Sequence, residues 1–425
     1  MFTLVFALLA VPDTVEMSLS QAIDVALKRS PAHVEGAVSR TQSVLTLANG
    51  INSLLPSATG SVSYGRTTST SPLLPETTVT GWTGNLTLNQ VIFDPQIYAG
   101  LASSVVYTGY YCADARDKRA RLIYDATSSY LGLLTSRLLR DAAASALDRA
   151  NDNLRLTQEK LRLGAASQID VMRSDVFRSQ AEISLLTAEK ALGVANAAFL
   201  ATAGITGNVV VKPTETLTTP ADFAISDPDS LIAEIERRNP GARLAAKANI
   251  ASKLSLAGTA GRILPSVSAY WSTDYTGQTF PSGVKKWDNN DNVSYGLRLS
   301  FPLLDLKSYI LDIAGAANDA RRANAAAASA RLQVRSSAIA AVLSYQEARQ
   351  RYDYARRNLE LNQELYRLAQ QQQRLGAISL IDFFSVETNL AQAQATHVSA
   401  LSDTYIQAAQ ISYLLGQTGT AAQGR

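Results

Sequence analysis

One cysteine and two histidines stand in 425 residues. Cys112, being alone, can form neither an internal disulfide nor a cysteine-based metal site. His33 and His397 lie far apart with no neighbouring ligand pattern, so neither a metal nor another cofactor is expected. Charged residues make up only 18 % of the chain, low for a soluble protein. A net charge of +3 leaves no electrostatic footprint for a nucleic-acid partner. Long apolar runs are missing too. Phe2–Val11 is too short to cross a bilayer, and no other segment offers about 18 uncharged apolar residues, so no transmembrane helix is expected. There is no nucleophile–base–acid set and no phosphate loop, so the chain is not expected to be an enzyme. Proline is absent between Pro95 and Leu163 and again from Leu306 to Leu375, which leaves two very long stretches free to be helical.

What the chain does have is internal similarity, the first thing to look for in a long sequence. LKRSPAHVEGA from Leu27 faces ERRNPGARLAA from Glu236, and LLPSATGSVSYG from Leu54 faces ILPSVSAYWSTD from Ile263. LTLNQVIFD from Leu86 faces LRLSFPLLD from Leu297, and RLGAASQID from Arg162 faces RLGAISLID from Arg374. Four anchors in one order, at offsets drifting only from 209 to 212, predict a duplicated unit of about 200 residues. Residues 1–16 read as a signal peptide or its remnant, with cleavage near Ala10. Residues 17–208 and 229–417 are the two repeats; 209–228, rich in Thr, Pro and Asp, is the linker; 418–425 is a tail.

Each repeat has the same grammar. A short helix stops at Pro31 or Pro240, and a second runs on to Leu-Pro-Ser. Two strands follow, predicted at 57–66 and 82–92 and at 264–275 and 293–303. Val293, Tyr295, Leu297, Leu299 and Phe301 alternate with Ser294, Gly296, Arg298 and Ser300, the two-residue period of a strand. At about ten residues the strands are long enough to cross a bilayer when tilted. Trp82, Tyr270, Trp271 and Tyr275 are placed near strand ends, where an aromatic girdle would sit. The stretches 66–81 and 276–291 read as loops. Each proline-free stretch predicts one helix of about 70 residues, roughly 100 Å long, followed by a returning helix.

The tips at 162–170 and 374–382 are where each long helix turns. Gly164 and Gly376 suit the left-handed residue that closes a helix. Ser167 and Ser379 suit the N-cap of the returning helix, with Asp170 and Asp382 at the third position of a capping box. Arg162 and Arg374 lie in the last turn, where a cation is favoured. Leu163, Ala165, Leu375, Ala377 and Ile378 place apolar groups on an exposed tip, which suggests a docking surface. Four strands cannot close a membrane barrel, and open strands in lipid leave their edges unsatisfied, so copies of the chain must pair them. Three copies give twelve strands and twelve helices. The fold class expected is therefore mainly α with a small membrane β-barrel part: a duplicated unit of long antiparallel helices plus two strands, assembled as a trimer.

With its duplication, its paired RLGA-x-S-x-ID tips, LPS before the strands and FD or LD before the long helices, the sequence resembles the TolC-type outer membrane efflux protein family over residues 17–417 or so. The resemblance implies a homotrimeric channel-tunnel in the cell outer membrane, with a long helical barrel in the periplasm. It implies as partners a periplasmic adaptor protein and, through it, an inner-membrane transporter. Adaptor contacts would be Arg162, Leu163, Gly164, Ala165 and Ser167, with Arg374, Leu375, Gly376, Ala377 and Ser379. A tunnel gate would involve Asp170, Gln373, Ile378, Asp382 and Ser385. Because Gln373, Ile378 and Ser385 stand where some relatives carry latching or acidic residues, a gate held by packing, with one acidic ring from Asp382, is expected. The competing reading is a non-transporting coiled-coil scaffold of the cell envelope. Nothing in the residues separates drug or metal efflux from protein export.

Overall fold

The structure, a computed structural model, describes residues 13–71, 74–223, 225, 227–280, 292–301 and 306–417. Two short helices, α1 (Leu19–Arg29) and α2 (Pro31–Asn52), precede the strands β2 (Ser57–Ser71) and β3 (Leu74–Phe93), the long helix α3 (Pro95–Arg162) and the returning helix α4 (Gln168–Ala203). The same succession recurs as α5 (Pro228–Arg238), α6 (Pro240–Gly261), β5 (Ser266–Gly277), β6 (Asn292–Ser300), α7 (Leu306–Arg374) and α8 (Leu380–Leu414). Two further strands, β1 (Asp13–Met17) and β4 (Val209–Pro213), pair in parallel. The expected boundary at residue 16 thus falls inside β1, and part of the expected linker is strand. The apolar run Phe2–Val11, Asp305 and the tail 418–425 lie outside the described residues.

The chain forms two compact units. One comprises the chain up to Val38, Asp114–Ala242 and the chain from Arg331 onward. Its cores form where the short helices lie on the long ones. Leu19, Ala22, Ile23 and Ala26 of α1 pack on Leu122, Ile123, Ala126, Tyr130 and Leu133 of α3 and on Phe199 of α4. In the second half, Ile235 of α5 packs on Ala338, Ala341 and Tyr345 of α7 and on Ile411 and Leu414 of α8. Ser18 caps α1 through a capping box with Gln21, and the Glu215 carboxylate accepts the Leu19 N–H at 2.7 Å and the Tyr130 hydroxyl. Residues 219–223 are strapped onto α7 and α8: Tyr345 and Arg349 donate to the Ala221 carbonyl, and Tyr405 donates to that of Thr219.

The other unit comprises Ser39–Ala113 and Arg243–Ala330 and holds an antiparallel sheet in the order β2-β3-β5-β6. The first hairpin is longer than predicted, because residues 66–71 and 74–81 of the expected loop are strand. Pairing continues through Arg66↔Thr80, Thr67↔Val79 and Thr68↔Thr78. Its run of threonines and valine favours extended backbone, which outweighs the loop-like reading of Ser and Thr. Residues 281–291, most of the second expected loop, lie outside the described residues.

The two faces of this sheet differ in chemistry. Ala58, Leu88, Trp271 and Tyr295 stand across from one another on one face, with Leu86 and Val293 in the next row and Leu297 and Leu299 beyond. Most of these side chains are exposed, Tyr295 at 79 % and Leu297 at 72 %. The other face carries Thr59, Thr87, Ser272 and Ser294 in one row and Ser61, Asn85 and Asp274 in the next. It is closed by hydrogen bonds: Asn85 Nδ2 to Asp274 Oδ1 at 2.7 Å, Ser63 with Thr83 at 2.7 Å and Ser272 with Ser294 at 2.8 Å. Of the expected girdle residues, Trp82 meets Tyr64 and Phe280 in an aromatic cluster towards the hairpin end, with ring centres 5.0 and 4.9 Å apart. Tyr270 and Trp271 instead sit mid-strand, because β5 runs from Ser266 to Gly277. Tyr270 lies on the polar face under the Arg298 guanidinium, and Tyr275 is buried with its hydroxyl donating to the Thr279 carbonyl. Both outer strands, β2 and β6, have an edge with no partner among the described residues.

Candidate functional site

The two tips in the helical unit are built from backbone chemistry upward. At the end of α3, the Gly164 N–H donates to Leu161 and the Ala165 N–H to Lys160; at the end of α7, Gly376 and Ala377 repeat this with Gln373 and Gln372. These are paired Schellman closures, which consume carbonyls that a helix end leaves open. They need a left-handed residue, and Gly164 and Gly376 have φ of 75° and 70°. A Cβ at either glycine would meet nothing within 4 Å, so their constraint is purely conformational.

Each returning helix then starts on its serine. Ser167 accepts the Asp170 N–H while Asp170 accepts the Ser167 N–H at 3.0 Å and its hydroxyl at 2.7 Å. Ser379 accepts the Asp382 N–H at 3.1 Å and donates its hydroxyl to Asp382 at 2.6 Å. The Ser167 donors hold the Asp170 carboxyl below the usual carboxylate range. That stabilisation is present above the ordinary value and is lost as pH falls through the lowered one.

Around these caps the expected contact residues are displayed. Leu163 is 77 % and Leu375 83 % exposed. Ala165, Ala377, Ser167 and Ser379 are exposed, and so are Arg162 and Arg374. Arg162 forms a solvent-facing ion pair with Glu159 at 2.7 Å. Of the expected gate residues, Asp382 and Ser385 are exposed, Asp170 and Ile378 are half-buried, and Gln373 is buried. The Gln373 carbonyl accepts Lys160 Nζ at 3.1 Å, which ties the last turn of α3 to that of α7. The two tips are therefore neighbours.

Two features beside the tips escaped the sequence. Phe177 of α4 and Phe384 of α8 stack face to face, ring centres 4.3 Å apart and 7° from parallel. With Met172, Val176 and Ile381 they line an open apolar groove. Further along, Glu387 of α8 is only 2 % exposed and accepts Arg149 Nε at 3.2 Å and Asn153 Nδ2 at 2.9 Å, both from α3. The Arg149 guanidinium also faces the Tyr366 ring of α7 at 5.9 Å, and its Nη2 is buried with no partner. Burial pushes the Glu387 carboxyl above the usual range, with Arg149 and Asn153 pulling the other way. Among the described residues no group of His, Cys, Asp and Glu could hold a metal ion. The tips offer a surface of capped backbone, exposed leucines and a few cations.

The model of the family described as outer membrane efflux protein matches residues 233–417, from α5 through the second tip to the end of α8. Over that stretch the sequence is similar to the outer membrane efflux protein family. The fold of this chain is similar to the Campylobacter jejuni CmeC outer membrane channel, with a TM-score of 0.83 at 15 % identity over 96 % of this chain and 87 % of that one. It is similar to the outer membrane protein VceC of Vibrio cholerae, with a TM-score of 0.77 at 15 % identity over 94 % and 97 %. It is also similar to the open state of the Neisseria gonorrhoeae MtrE outer membrane channel, with a TM-score of 0.76 at 14 % identity over 96 % and 91 %. At such identities the likeness is one of fold. No curated protein matches the sequence.

Proposed function

We propose that this chain is the passive exit duct of a tripartite efflux or secretion system: a homotrimeric channel-tunnel in the outer membrane that docks through its tips to a periplasmic adaptor and, through that, to an inner-membrane transporter. The observation that carries this reading is the sheet, both of whose faces are exposed, one polar and hydrogen-bonded and the other apolar. In water that face would be a large unprotected hydrophobic patch. In a bilayer it is the lipid-facing band of a barrel whose other face lines a wet lumen. Trp82 and Phe93 stand near the two ends of the apolar face of β3, roughly 36 Å apart along the strand. A tilt of about 45° brings this to about 25 Å, the height of such a band. Both sheet edges are unpaired among the described residues, and lipid tolerates no open edge. Copies of the chain in cyclic symmetry supply the partners, and three give twelve strands.

The tip supports the docking half of the reading. Leu163 and Leu375, held out on rigid doubly capped turns, are the kind of apolar anchor that a partner's helix ends cover. The gate is read as packed side chains with one acidic ring from Asp382. The test is the mass of the detergent-solubilised full chain by light scattering, with a negative-stain image of the same sample. A mass about three times 45.5 kDa, hollow in end view, is expected. A monomer or dimer soluble without detergent would sink the channel and leave the scaffold reading in its place.

A further inference from the structure

The polar face of the sheet is almost without charge. Among the described residues its strands place one acid there, Asp274, and one base, Arg298. Asp274 is engaged, accepting Asn85 Nδ2 at 2.7 Å. Arg298 is exposed and stands opposite Ser268, six residues along β5 from Asp274. That is about 20 Å at 3.3 Å per residue, more than twice the Debye length of about 8 Å at physiological salt. The acid therefore does not neutralise the base. Asp94, just past the end of β3, is taken up by the N–H groups of Gln96 and Ile97. What holds Arg298 is a ring. Its guanidinium lies over Tyr270, 4.8 Å from the ring centre. Tyr270 is paired with Gly296, and its ring lies across that glycine, with the hydroxyl and Cε1 3.5 Å from where a Cβ would stand. A guanidinium stacked on a ring keeps its N–H fork open, and that fork matches a carboxylate or a phosphate.

We propose, resting on the trimeric channel reading above, that Arg298 on its Tyr270 seat forms an anion-binding ring in the lumen of the barrel. Its ligands are oxyanions of more than one charge: solutes that carry phosphate or several carboxylate groups. In that reading the polar face lines the wet lumen, and cyclic symmetry sets three copies of Arg298 at one height. They stand near the end of the sheet that leads into α7. Twelve strands 4.8 Å apart, tilted by about 45°, close on a circle about 26 Å across. An arginine reaching inward from that wall is about one Debye length from the axis. An anion of several charges there is attracted by all three cations at once. A monovalent anion engages one of them and gains far less.

The test is the current through the full chain in a planar bilayer, in about 0.1 M potassium chloride, with inorganic tripolyphosphate added in steps. The parent current is expected to fall as the anion is added. Two variants reach the ring by different routes. Arg298→Gln removes the cation, and Ser268→Asp leaves it in place but sets a carboxylate directly opposite. Each is expected to raise the half-blocking concentration by ~10-fold or more. Arg298→Lys, which keeps the charge and loses the fork, is expected to raise it less than Arg298→Gln does. A conducting parent that tripolyphosphate does not block overturns the ring while the channel stands. So does a block that is as strong in either conducting variant as in the parent. A full chain that forms no conducting trimer overturns the channel reading and the ring together.

Discussion

At the scale of single residues, the tips show how few atoms are needed to fix a surface. Gly164 and Gly376 close one helix, Ser167 and Ser379 open the next, and the exposed Leu163 and Leu375 stand on the closing turns just before the glycines. All of this was legible in the sequence because every bond involved spans only a few residues. Asp170 and Asp382 raise a harder question, since helix capping alone accounts for both. Asp382→Asn separates the roles. Asparagine keeps an oxygen for the Ser379 hydroxyl, so the cap changes by less than about 1 kcal/mol and the melting temperature should hardly move. The charge is removed, and three copies lose it together. If Asp382 contributes a ring to the lumen, the cation selectivity of single channels in a planar bilayer falls. Selectivity equal to that of the parent would leave Asp382 as a cap and no more.

At the scale of elements, the cluster around Glu387 holds α8 to α3 just beyond the tips. It was not legible, because Arg149 lies 238 residues away in sequence and nothing local marks Glu387 as buried. The raised Glu387 pKa bears on what the ion pair is worth. A carboxyl whose folded value is raised stabilises the fold most below its ordinary range, and less as pH rises through the raised value. Burial therefore makes the ionised form of Glu387 costly, with Arg149 offsetting part of that cost. Removing one partner should still hurt, because it strands the other. Glu387→Ala is expected to cost roughly 3 kcal/mol, mainly by leaving Arg149 without its acceptor. The joint change Arg149→Met with Glu387→Leu should come within about 1 kcal/mol of the parent. Thermal unfolding followed by circular dichroism in detergent checks both. A double variant as unstable as the single one would mean that the pair itself, and not the stranded arginine, holds the helices.

At the scale of the whole molecule, the sheet has open edges among the described residues, which copies of the chain would pair in the trimer proposed above. The strand faces were legible from the alternation at Val293–Phe301, while the length of the first hairpin was not. Threonine is as much a strand residue as a loop residue, and only pairing decides between the two. The two-faced sheet also makes the membrane reading vulnerable to a simple comparison. Leu297 and Ser294 lie on the same edge strand, three residues apart and on opposite faces. Leu297→Arg puts a charge on the exposed apolar face, which costs about 2–4 kcal/mol near the middle of a bilayer. Ser294→Arg puts the same charge on the polar face, where Arg298 already stands and water is available. In refolding into lipid vesicles, Leu297→Arg should lower the folding equilibrium constant, read from denaturant titration, by ~30-fold or more, while Ser294→Arg stays close to the parent. If the two variants fold equally well in vesicles, the apolar face does not meet lipid, and the sheet must be covered by protein instead.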